Sequence, residues 1–202
     1  MKVSLQNVGK RYNREWIFRH FSLEFDTTGS YAIIGANGSG KSTLLQVIAG
    51  ATTNSEGTLQ YTNNGNKLLA EPYRHIAIAA PYLELIEELS ATELLNFHAG
   101  FKKLTAPVAE ILDAVHLEKA AHKQIRYFSS GMKQRLKLAQ AFFSESEILL
   151  LDEPTTNLDS DGVNLYQELL QKYAGNRLLI ISSNVPQEYA VCKEMIRIED
   201  YK

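Results

Sequence analysis

Short apolar segments separated by polar turns run through this chain of 202 residues. Residues 3–8 and 21–25 alternate, or nearly alternate, apolar and polar side chains, which predicts antiparallel strands. Continuous apolar runs instead predict strands that are buried on both faces of a sheet. These runs lie at residues 31–34, 76–80, 148–151 and 178–181. Residues 57–61 are a further candidate strand.

Helical spacing of apolar residues fills much of the remaining chain. Residues 43–50 and 132–143 each predict a helix, and residues 83–125 are helix-rich, with one helix starting at Ala106-Pro107. Polar segments at residues 26–29 and 63–66 predict turns. Because the helical stretch from about residue 82 to about residue 127 lies between two strands of one sheet, it is expected to be an insertion into a single α/β domain covering residues 1–202.

The first candidate for chemistry is the segment Gly35-Ala-Asn-Gly-Ser-Gly-Lys-Ser-Thr43, which fits the pattern G-x-x-x-x-G-K-[ST] between a predicted strand and a predicted helix. Its glycines let the backbone wrap closely around phosphate oxygens, and successive N–H groups at the helix start supply a partly positive cradle. Lys41 would add charge near the β- and γ-phosphates, and Ser42 would ligate Mg²⁺. The strand–loop–helix context argues against a chance match. The expected binding residues are Gly35, Asn37, Gly38, Ser39, Gly40, Lys41, Ser42 and Thr43.

A second candidate is the apolar run at residues 148–151, which ends in Asp152 and Glu153. A buried parallel strand delivers such a carboxylate to the sheet edge where ligands bind. There Asp152 can hold Mg²⁺, directly or through water, opposite Ser42, and Glu153 can orient or deprotonate an attacking water. Taken alone, the pattern fits a core strand with an acidic turn equally well, but the glycine loop upstream favours the metal site and the base.

The third candidate is Phe128-Ser-Ser-Gly-Met-Lys-Gln-Arg135, at the start of a predicted helix. Ser129 and Gly131 would offer a hydroxyl and bare N–H groups to an anion. Since one nucleotide site already has a cradle, a second cradle implies that two copies share their nucleotides. With this segment in place, the chain resembles the ATP-binding cassette (ABC) ATPases over nearly its whole length and in the same order.

The resemblance implies roles for further residues. Tyr12 matches the aromatic residue that stacks on adenine, although an ordinary tyrosine at a strand end is the alternative. Residues 128–132 match the LSGGQ signature imperfectly, because Ser130 replaces a glycine and Met132 the glutamine. Asn157-Leu-Asp159 matches the loop beside the dimer seam, although Asp159 could instead cap the following helix.

Two departures from the family pattern concern hydrolysis. Pro81 stands where the family has a glutamine that touches Mg²⁺ or the attacking water, so this contact is lost or supplied by a neighbour such as Glu84. Asn184 stands where the family has a histidine that contacts the γ-phosphate, and an amide can donate one hydrogen bond there but carries no charge. Hydrolysis is therefore expected but slow. The five histidines, read as ordinary surface or core residues, are His20, His75, His98, His116 and His122.

Composition excludes several classes of function. A formal net charge of −2 gives no electrostatic case for nucleic acid or for an anionic membrane surface. The single cysteine, Cys192, excludes an internal disulfide and fits a reducing compartment. The first residues contain no long apolar core, so no secretory signal is expected, and no apolar run reaches the roughly 18 residues of a membrane span.

The resemblance implies a P-loop NTPase core with a mainly parallel central sheet, an antiparallel β-subdomain and an inserted helical subdomain. It further implies a head-to-tail dimer, of identical or different chains, that closes on two Mg·ATP and drives a separate transmembrane permease subunit. The short helical segment favours an exporter, with the chain in the cytoplasm on the inner face of the plasma membrane. One alternative is a weakly hydrolysing nucleotide switch or degenerate half of a heterodimer. Another is an ABC protein acting on ribosomes or DNA, but those carry paired cassettes, basic arms or coiled coils, which this sequence lacks.

Overall fold

A computed structural model describes residues 1–63 and 68–202, so most of the turn predicted at residues 63–66 lies outside the described residues. The described strands are β1 (Lys2–Tyr12), β2 (Glu15–Phe25), β3 (Ser30–Ile34), β4 (Glu56–Thr62), β5 (Ile76–Ala79), β6 (Ile148–Asp152), β7 (Leu178–Ser182) and β8 (Glu194–Arg197). The described α-helices are α1 (Lys41–Ile48), α2 (Ala91–Ala99), α3 (Val108–Ala114), α4 (Ser130–Phe142) and α5 (Ser160–Tyr173).

The strands form two sheets. An antiparallel sheet has the order β2-β1-β4, and a five-stranded sheet has the order β5-β6-β7-β3-β8. In the larger sheet, β6 pairs with β7, β7 with β3, and β3 with β8, all in parallel. The predicted α/β class, with a mainly parallel sheet beside an antiparallel one, is therefore confirmed.

Burial follows the apolar pattern that predicted each strand. Every residue of β6 and β7 is buried, as expected for central parallel strands whose two faces are both covered. In β2 the side chains of Phe18, Phe21 and Phe25 are fully buried and join the side chains of β3 and α1 in one hydrophobic core. The turn predicted at residues 26–29 is present, since the Gly29 N–H donates to the Asp26 carbonyl at 3.0 Å.

The chain divides into two compact units. The first contains residues 1–78, 146–152 and 176–202, and the second contains residues 79–145 and 153–175. The helical insertion predicted at about residues 82–127 lies inside the second unit, which extends further and takes in α4 and α5. The assignment of residues 1–202 to a single domain with an insertion at those bounds stays a prediction.

The second unit is built from helices that pack on one another. Its apolar side chains expected at residues 111, 112, 115 and 117 are all buried. The helix-rich stretch is more broken than its pattern suggested, because it contains only the short α2 and α3 along with two 3₁₀ turns. Helix α2 begins with a capping box, in which Ser90 and Glu93 each accept a hydrogen bond from the other's backbone N–H. No helix among the described residues has the length and apolar character needed to cross a membrane.

Candidate functional site

Three parallel strands bring the predicted phosphate loop and the predicted metal ligand to the same edge of the sheet. Asp152 ends β6 and pairs with Ser182 of β7, which in turn pairs with Ile33 of β3. The phosphate loop leaves β3 just beyond Ile33 and leads into α1. Because parallel strands end at one edge, the Asp152 carboxylate, which is only 1% exposed, lies at the edge from which the loop emerges.

The glycines of the phosphate loop adopt conformations that other residues rarely adopt. The φ angles are 152° at Gly35, 76° at Gly38 and 104° at Gly40. An added Cβ at Gly38 would meet nothing within 4 Å, so this turn of the loop faces open space. The loop is closed by the N–H of Ser39, which donates to the Ala36 carbonyl at 3.1 Å. The backbone is thus folded as a cradle that an anion can approach closely.

Lys41 is buried inside this loop at the first residue of α1. Its ammonium is 4% exposed and donates to the carbonyl oxygens of Gly35 and Ala36 at 3.0 and 3.1 Å. Ser39 carries a buried hydroxyl with no hydrogen-bond partner among the described residues. A buried charge and a buried hydroxyl at a turn of bare N–H groups are the chemistry that receives phosphate oxygens.

Tyr12 lies at the end of β1, on the side of the hairpin that approaches the phosphate loop. The contact is made by Ile17 of β2, whose Cγ2 would stand 2.5 Å from a Cβ added at Gly40. Tyr12 is 48% exposed, and the Lys10 ammonium lies 4.9 Å from its ring centroid. Lys10 is itself fixed by a 2.7 Å hydrogen bond to the Thr53 carbonyl. A half-exposed ring is free to stack on a base. An ordinary tyrosine at a strand end would look the same, so the adenine contact stays a prediction.

Asn184 reaches the phosphate loop. It follows β7, where the Ser183 N–H donates to the Ile33 carbonyl at 3.1 Å. The Asn184 side-chain amide then donates to Asn37 Oδ1 at 2.9 Å. Asn184 also borders a cavity of about 390 Å³ together with Gly35 and Ala36 of the loop. The residue that stands in the family's histidine position is thus placed at the loop, as a neutral donor.

Glu199 also contacts the phosphate loop, and it was missed by sequence reasoning. Its Oε1 accepts the N–H of Ala36 at 2.8 Å. This bond is the main reason why the pKa of the Glu199 carboxyl lies below its ordinary value, with a smaller contribution from Lys41. An acidic pair shortly after β8 carries no sequence pattern that would have singled out Glu199.

The second unit holds the other predicted anion-binding segment, at the start of α4. Ser129 is the N-cap of α4, and its hydroxyl accepts the N–H of Met132 at 3.2 Å. Gly131 lies against the loop after β6, because a Cβ there would be 3.1 Å from the Asn157 carbonyl. The buried Gln134 side chain donates to the Pro154 carbonyl at 2.8 Å and fixes the same loop to the helix.

The loop that carries Glu153, Asn157 and Asp159 has an unusual backbone. Glu153 has a φ of 42° and Asn157 a φ of 66°, and a positive φ is costly at a residue such as glutamate. The Thr156 N–H donates to the Glu153 carbonyl at 3.1 Å. The Asp159 carboxylate accepts the Gly162 N–H at 2.9 Å, so it caps α5, as the alternative interpretation of that residue expected. A dimer-seam role for Asp159 stays a prediction.

Around Pro81, the structure supplies a lysine that the sequence did not suggest. The Lys137 ammonium donates to the carbonyl oxygens of Pro81 and Ala80 at 2.9 and 3.4 Å. Glu84 is exposed and lies in the same pocket of the second unit. Burial lowers the pKa of Lys137, which the nearby Lys133 lowers further and Glu84 partly restores.

The histidines and the cysteine are accounted for without a catalytic role. His75 contacts Glu147 at 2.8 Å, His98 contacts the Ser144 hydroxyl at 2.7 Å, and the other three are exposed. Burial raises the pKa of the Cys192 thiol to about 12.

The loop residues fit a nucleoside triphosphate, because the turn at Gly38 is open, Lys41 supplies charge and Ser39 offers a buried hydroxyl. For Mg²⁺, the Ser42 hydroxyl and the Asp152 carboxylate are the oxygen ligands that the ion prefers. No group of three or more histidine, cysteine or acidic side chains in residues 1–63 and 68–202 could hold a metal. The residues therefore fit a magnesium ion whose other ligands are phosphate and water oxygens.

Comparisons with known proteins agree with this geometry. A family model described as ABC transporter matches residues 18–156. YxlF of Bacillus subtilis, an uncharacterised ABC transporter ATP-binding protein, is 30% identical over 200 residues, which are 96% of this chain and 66% of that protein. The cytochrome c biogenesis ATP-binding export protein CcmA of Mesorhizobium japonicum is 31% identical over 192 residues, covering 92% of this chain and 93% of CcmA. Among solved structures, one match is the ATP-binding cassette MJ0796 in a dimeric post-hydrolysis state bound to ADP and Pi. The TM-score is 0.79 and the identity is 26%, and the match covers 96% of this chain and 93% of that one.

Proposed function

The chain belongs to the ABC transporter ATPase family as an ATP-binding subunit, and from that premise we propose that it hydrolyses ATP to drive an export-type transporter whose transmembrane permease is a separate subunit. The observation that carries the proposal is the phosphate loop with buried Lys41, which leaves the same sheet edge as Asp152. This arrangement binds a triphosphate and a divalent cation next to each other.

Nucleotide binding rests on residues of the first unit. Lys41 moves its ammonium from the Gly35 and Ala36 carbonyls, which it contacts at 3.0 and 3.1 Å, onto phosphate oxygens. The loop N–H groups from Asn37 to Thr43 and the start of α1 hold the remaining charge. Tyr12 stacks on the adenine with the face that Lys10 leaves open.

Hydrolysis requires a base and a stabilised leaving group. Glu153, which follows Asp152 directly, takes a proton from the attacking water or orients it. Ser42 and Asp152 would hold Mg²⁺, which neutralises charge on the phosphates. Asn184 donates a hydrogen bond near the γ-phosphate, but it supplies no charge there. The turnover is therefore slow for this type of site.

Two copies are needed for a complete site. The N-terminus of α4, with Ser129 and Gly131, offers a second anion cradle in the other unit. We place it against the γ-phosphate of a partner copy in a head-to-tail dimer, closed by two ATP. The dimeric MJ0796 cassette bound to ADP and Pi supports this arrangement. The partner copy is an identical chain or a related one.

Export as the direction of transport is supported by the name of CcmA, an export protein that this chain matches over nearly its full length. The chain would then lie on the inner face of the plasma membrane through its permease. With the permease reconstituted, ATP outside inside-out vesicles should drive substrate into the lumen. Uptake in the opposite direction would refute the export assignment and leave the ATPase intact.

A nucleotide switch with little hydrolysis is the second candidate, and Pro81 and Asn184 favour it. The steady-state release of phosphate by the purified chain separates the two. We expect Glu153→Gln to retain ATP binding, to accumulate an ATP-bound dimer on a sizing column and to lose turnover by roughly a hundredfold or more. Glu118→Gln, an exposed change in the same unit, is the control. A wild-type chain that already behaves like Glu153→Gln would establish the switch.

Lys41→Ala tests the site itself. It removes the formal positive charge buried inside the cradle, so most of the ATP affinity should be lost, whereas exchange of the exposed Lys123 for alanine should change nothing. Unchanged binding of a fluorescent ATP analogue by Lys41→Ala would refute the assignment of the loop.

A further inference from the structure

The 3₁₀ turn Ile198–Tyr201, which follows β8, is anchored at two points of the first unit. Ile198 is fully buried, and the Tyr201 ring lies 4.7 Å from the Phe21 ring of β2. The preceding strand pairs with β3 through Arg197 and Ile34, immediately before the phosphate loop. Glu199, between the two anchors, is therefore held beside the first residues of that loop.

The contact that Glu199 makes is specific. Its Oε1 accepts the Ala36 N–H at 2.8 Å, and a Cβ at Gly35 would lie within 2.6 and 2.7 Å of its two carboxylate oxygens. Only a glycine at position 35 lets the carboxylate come this close. A carboxylate that accepts a backbone N–H makes a charge-assisted hydrogen bond, which is about twice as strong as a neutral one.

The same short turn also carries the lysine. The carbonyl oxygens of Gly35 and Ala36 accept the Lys41 ammonium, and the Ala36 carbonyl additionally accepts the Ser39 N–H. Ala36 thus has Glu199 on its N–H side and the lysine and the rest of the loop on its carbonyl side. A displacement of this peptide would move the groups that receive the phosphates.

We propose that Glu199 is a positioning residue for nucleotide binding, which fixes the Gly35–Ala36 turn and through it the Lys41 ammonium and the N–H groups of the loop. The inference rests on the proposed nucleotide site. It assigns a role in ATP binding to a carboxylate that does not itself touch the nucleotide. The negative charge of this carboxylate, acting alone, would weaken the binding of a triphosphate.

The side chain can be changed without disturbing the core. Glu199 is exposed and borders the open cavity of about 390 Å³ next to Asn184 and Arg197, so its variants should fold. Glu199→Gln keeps an oxygen that accepts the Ala36 N–H but removes the charge, whereas Glu199→Ala removes both. Asp200→Ala removes a neighbouring exposed carboxylate of the same turn and is the matched control.

The experiment is a calorimetric titration of each full-length variant with a non-hydrolysable ATP analogue, accompanied by a melting curve without nucleotide. Glu199→Ala should weaken binding by roughly tenfold, the effect of losing one charge-assisted hydrogen bond. Glu199→Gln should stay within about threefold of wild type, since a neutral acceptor retains much of the bond. Asp200→Ala should bind like wild type. Every variant should be fully folded at the temperature of the titration, although the lost bond lowers the melting temperature of Glu199→Ala by roughly a few degrees.

Two results would overturn the proposal. Tighter binding by both Glu199 variants would mean that the carboxylate only repels the triphosphate. Equal losses in Glu199→Ala, Glu199→Gln and Asp200→Ala, or unfolding of the Glu199 variants at the temperature of the titration, would mean that the turn matters only for folding. Lys41→Ala in the same titration separates these results from a failure of the nucleotide site, since unchanged binding there would refute the site itself.

Discussion

The side-chain amide of Asn184 donates a hydrogen bond to the Oδ1 of Asn37 across 2.9 Å, so the residue after β7 contacts the phosphate loop directly. The contact joins two segments that are 147 residues apart in the chain. It also orients the amide, because the donor nitrogen points to the loop. A substitution at position 184 therefore acts directly on the predicted phosphate loop.

Asn184→His should raise the turnover of ATP by about tenfold. A protonated imidazole makes a charge-assisted hydrogen bond to the phosphoryl group, roughly twice as strong as the neutral bond of an amide. The gain should be present below the imidazole pKa of about 6.5 and fade as the pH rises through it. Phosphate release measured from about pH 5.5 to about pH 8.5 tests this.

Asn184→Gln is the control for that experiment, since it keeps a neutral amide and introduces no titration in this range. A histidine variant with an unchanged rate at every pH would show that chemistry does not limit turnover. A fall in its rate would indicate that the site depends on the amide that holds Asn37.

Tyr12→Ala should weaken ATP binding by up to about tenfold, because stacking on an aromatic ring is worth about 0.5–1.5 kcal/mol beyond its buried area. Binding of tripolyphosphate, which has no base, should be unchanged. Tyr12→Phe should bind ATP like wild type, since the ring remains below the Lys10 ammonium.

Tyr73→Ala removes another exposed tyrosine ring and is the control for the effect on ATP binding of losing a ring from the surface. An equal loss of ATP and tripolyphosphate binding by Tyr12→Ala would contradict stacking and point instead to disorder at the end of β1.

The capping box of α2 predicts a pH-dependent part of the stability. Glu93 accepts the Ser90 N–H at 2.8 Å and the Ser90 hydroxyl at 2.7 Å, and the backbone bond is the largest cause of its lowered pKa. Since the pKa is lower in the folded state, the stabilisation is complete above the unfolded value of about 4.3 and is lost as the pH falls through the folded value.

Ser90→Ala should cost about 1 kcal/mol of the free energy of unfolding. In urea unfolding, Glu93→Ala should destabilise the chain at neutral pH, and its deficit should shrink as the pH falls below the unfolded value of about 4.3. Glu110→Ala, which removes a glutamate from the first turn of α3, a helix without a side-chain cap, is the control. A deficit of Glu93→Ala that stays constant with pH would mean that the carboxylate does not cap the helix.

The strands and turns of the larger sheet could be predicted because local signals define them. The runs at residues 148–151 and 178–181 are continuous and apolar, and they became β6 and β7 almost without change. The first strand was predicted to end at residue 8, whereas β1 continues to Tyr12. Its pairing with β2 shifts register at bulges, which breaks the alternation of apolar and polar residues. Lys10 is also buried, although a lysine suggested the end of the strand. The helix predicted to start at Ala106-Pro107 is α3, which begins at Val108. The bounds of α2 were not predicted, since apolar spacing does not show the 3₁₀ turns that interrupt this stretch.

The residues of the candidate site also differ in whether a local sequence pattern marks them. The residues that lie in contiguous patterns, such as Gly35 to Thr43 or Asp152 and Glu153, were predicted from the sequence. Glu199 was not, because its contact with Ala36 spans 163 residues and depends on where the sheet ends. Neither was Lys137, whose contact with Pro81 spans 56 residues. A single sequence contains no signal for pairs of this kind.

Lys137 ties the loop after β5 to α4. Its ammonium donates to the carbonyl oxygens of Pro81 and Ala80, at the position where the family has a glutamine. Since Ser129 and Gly131 lie at the start of the same helix, Lys137 joins the loop at Pro81 to the helix that begins with the second anion cradle. We expect Lys137→Met to lower the maximal rate of ATP hydrolysis by about tenfold, the effect of losing one bond from a charged donor.

ATP binding to the single chain should be unchanged in Lys137→Met, because the phosphate loop, Tyr12 and Asp152 belong to the first unit. Lys137→Arg should restore most of the rate, since the guanidinium can donate to the same two carbonyl oxygens. The exposed Lys123→Ala serves as the control for loss of a positive charge from the second unit. Steady-state rates at saturating ATP report the effect of each variant on hydrolysis, and an equilibrium titration reports its effect on ATP binding. Weaker ATP binding, or no rescue by arginine, would show that Lys137 supports the fold of α4 and does not position the loop at Pro81 for the reaction.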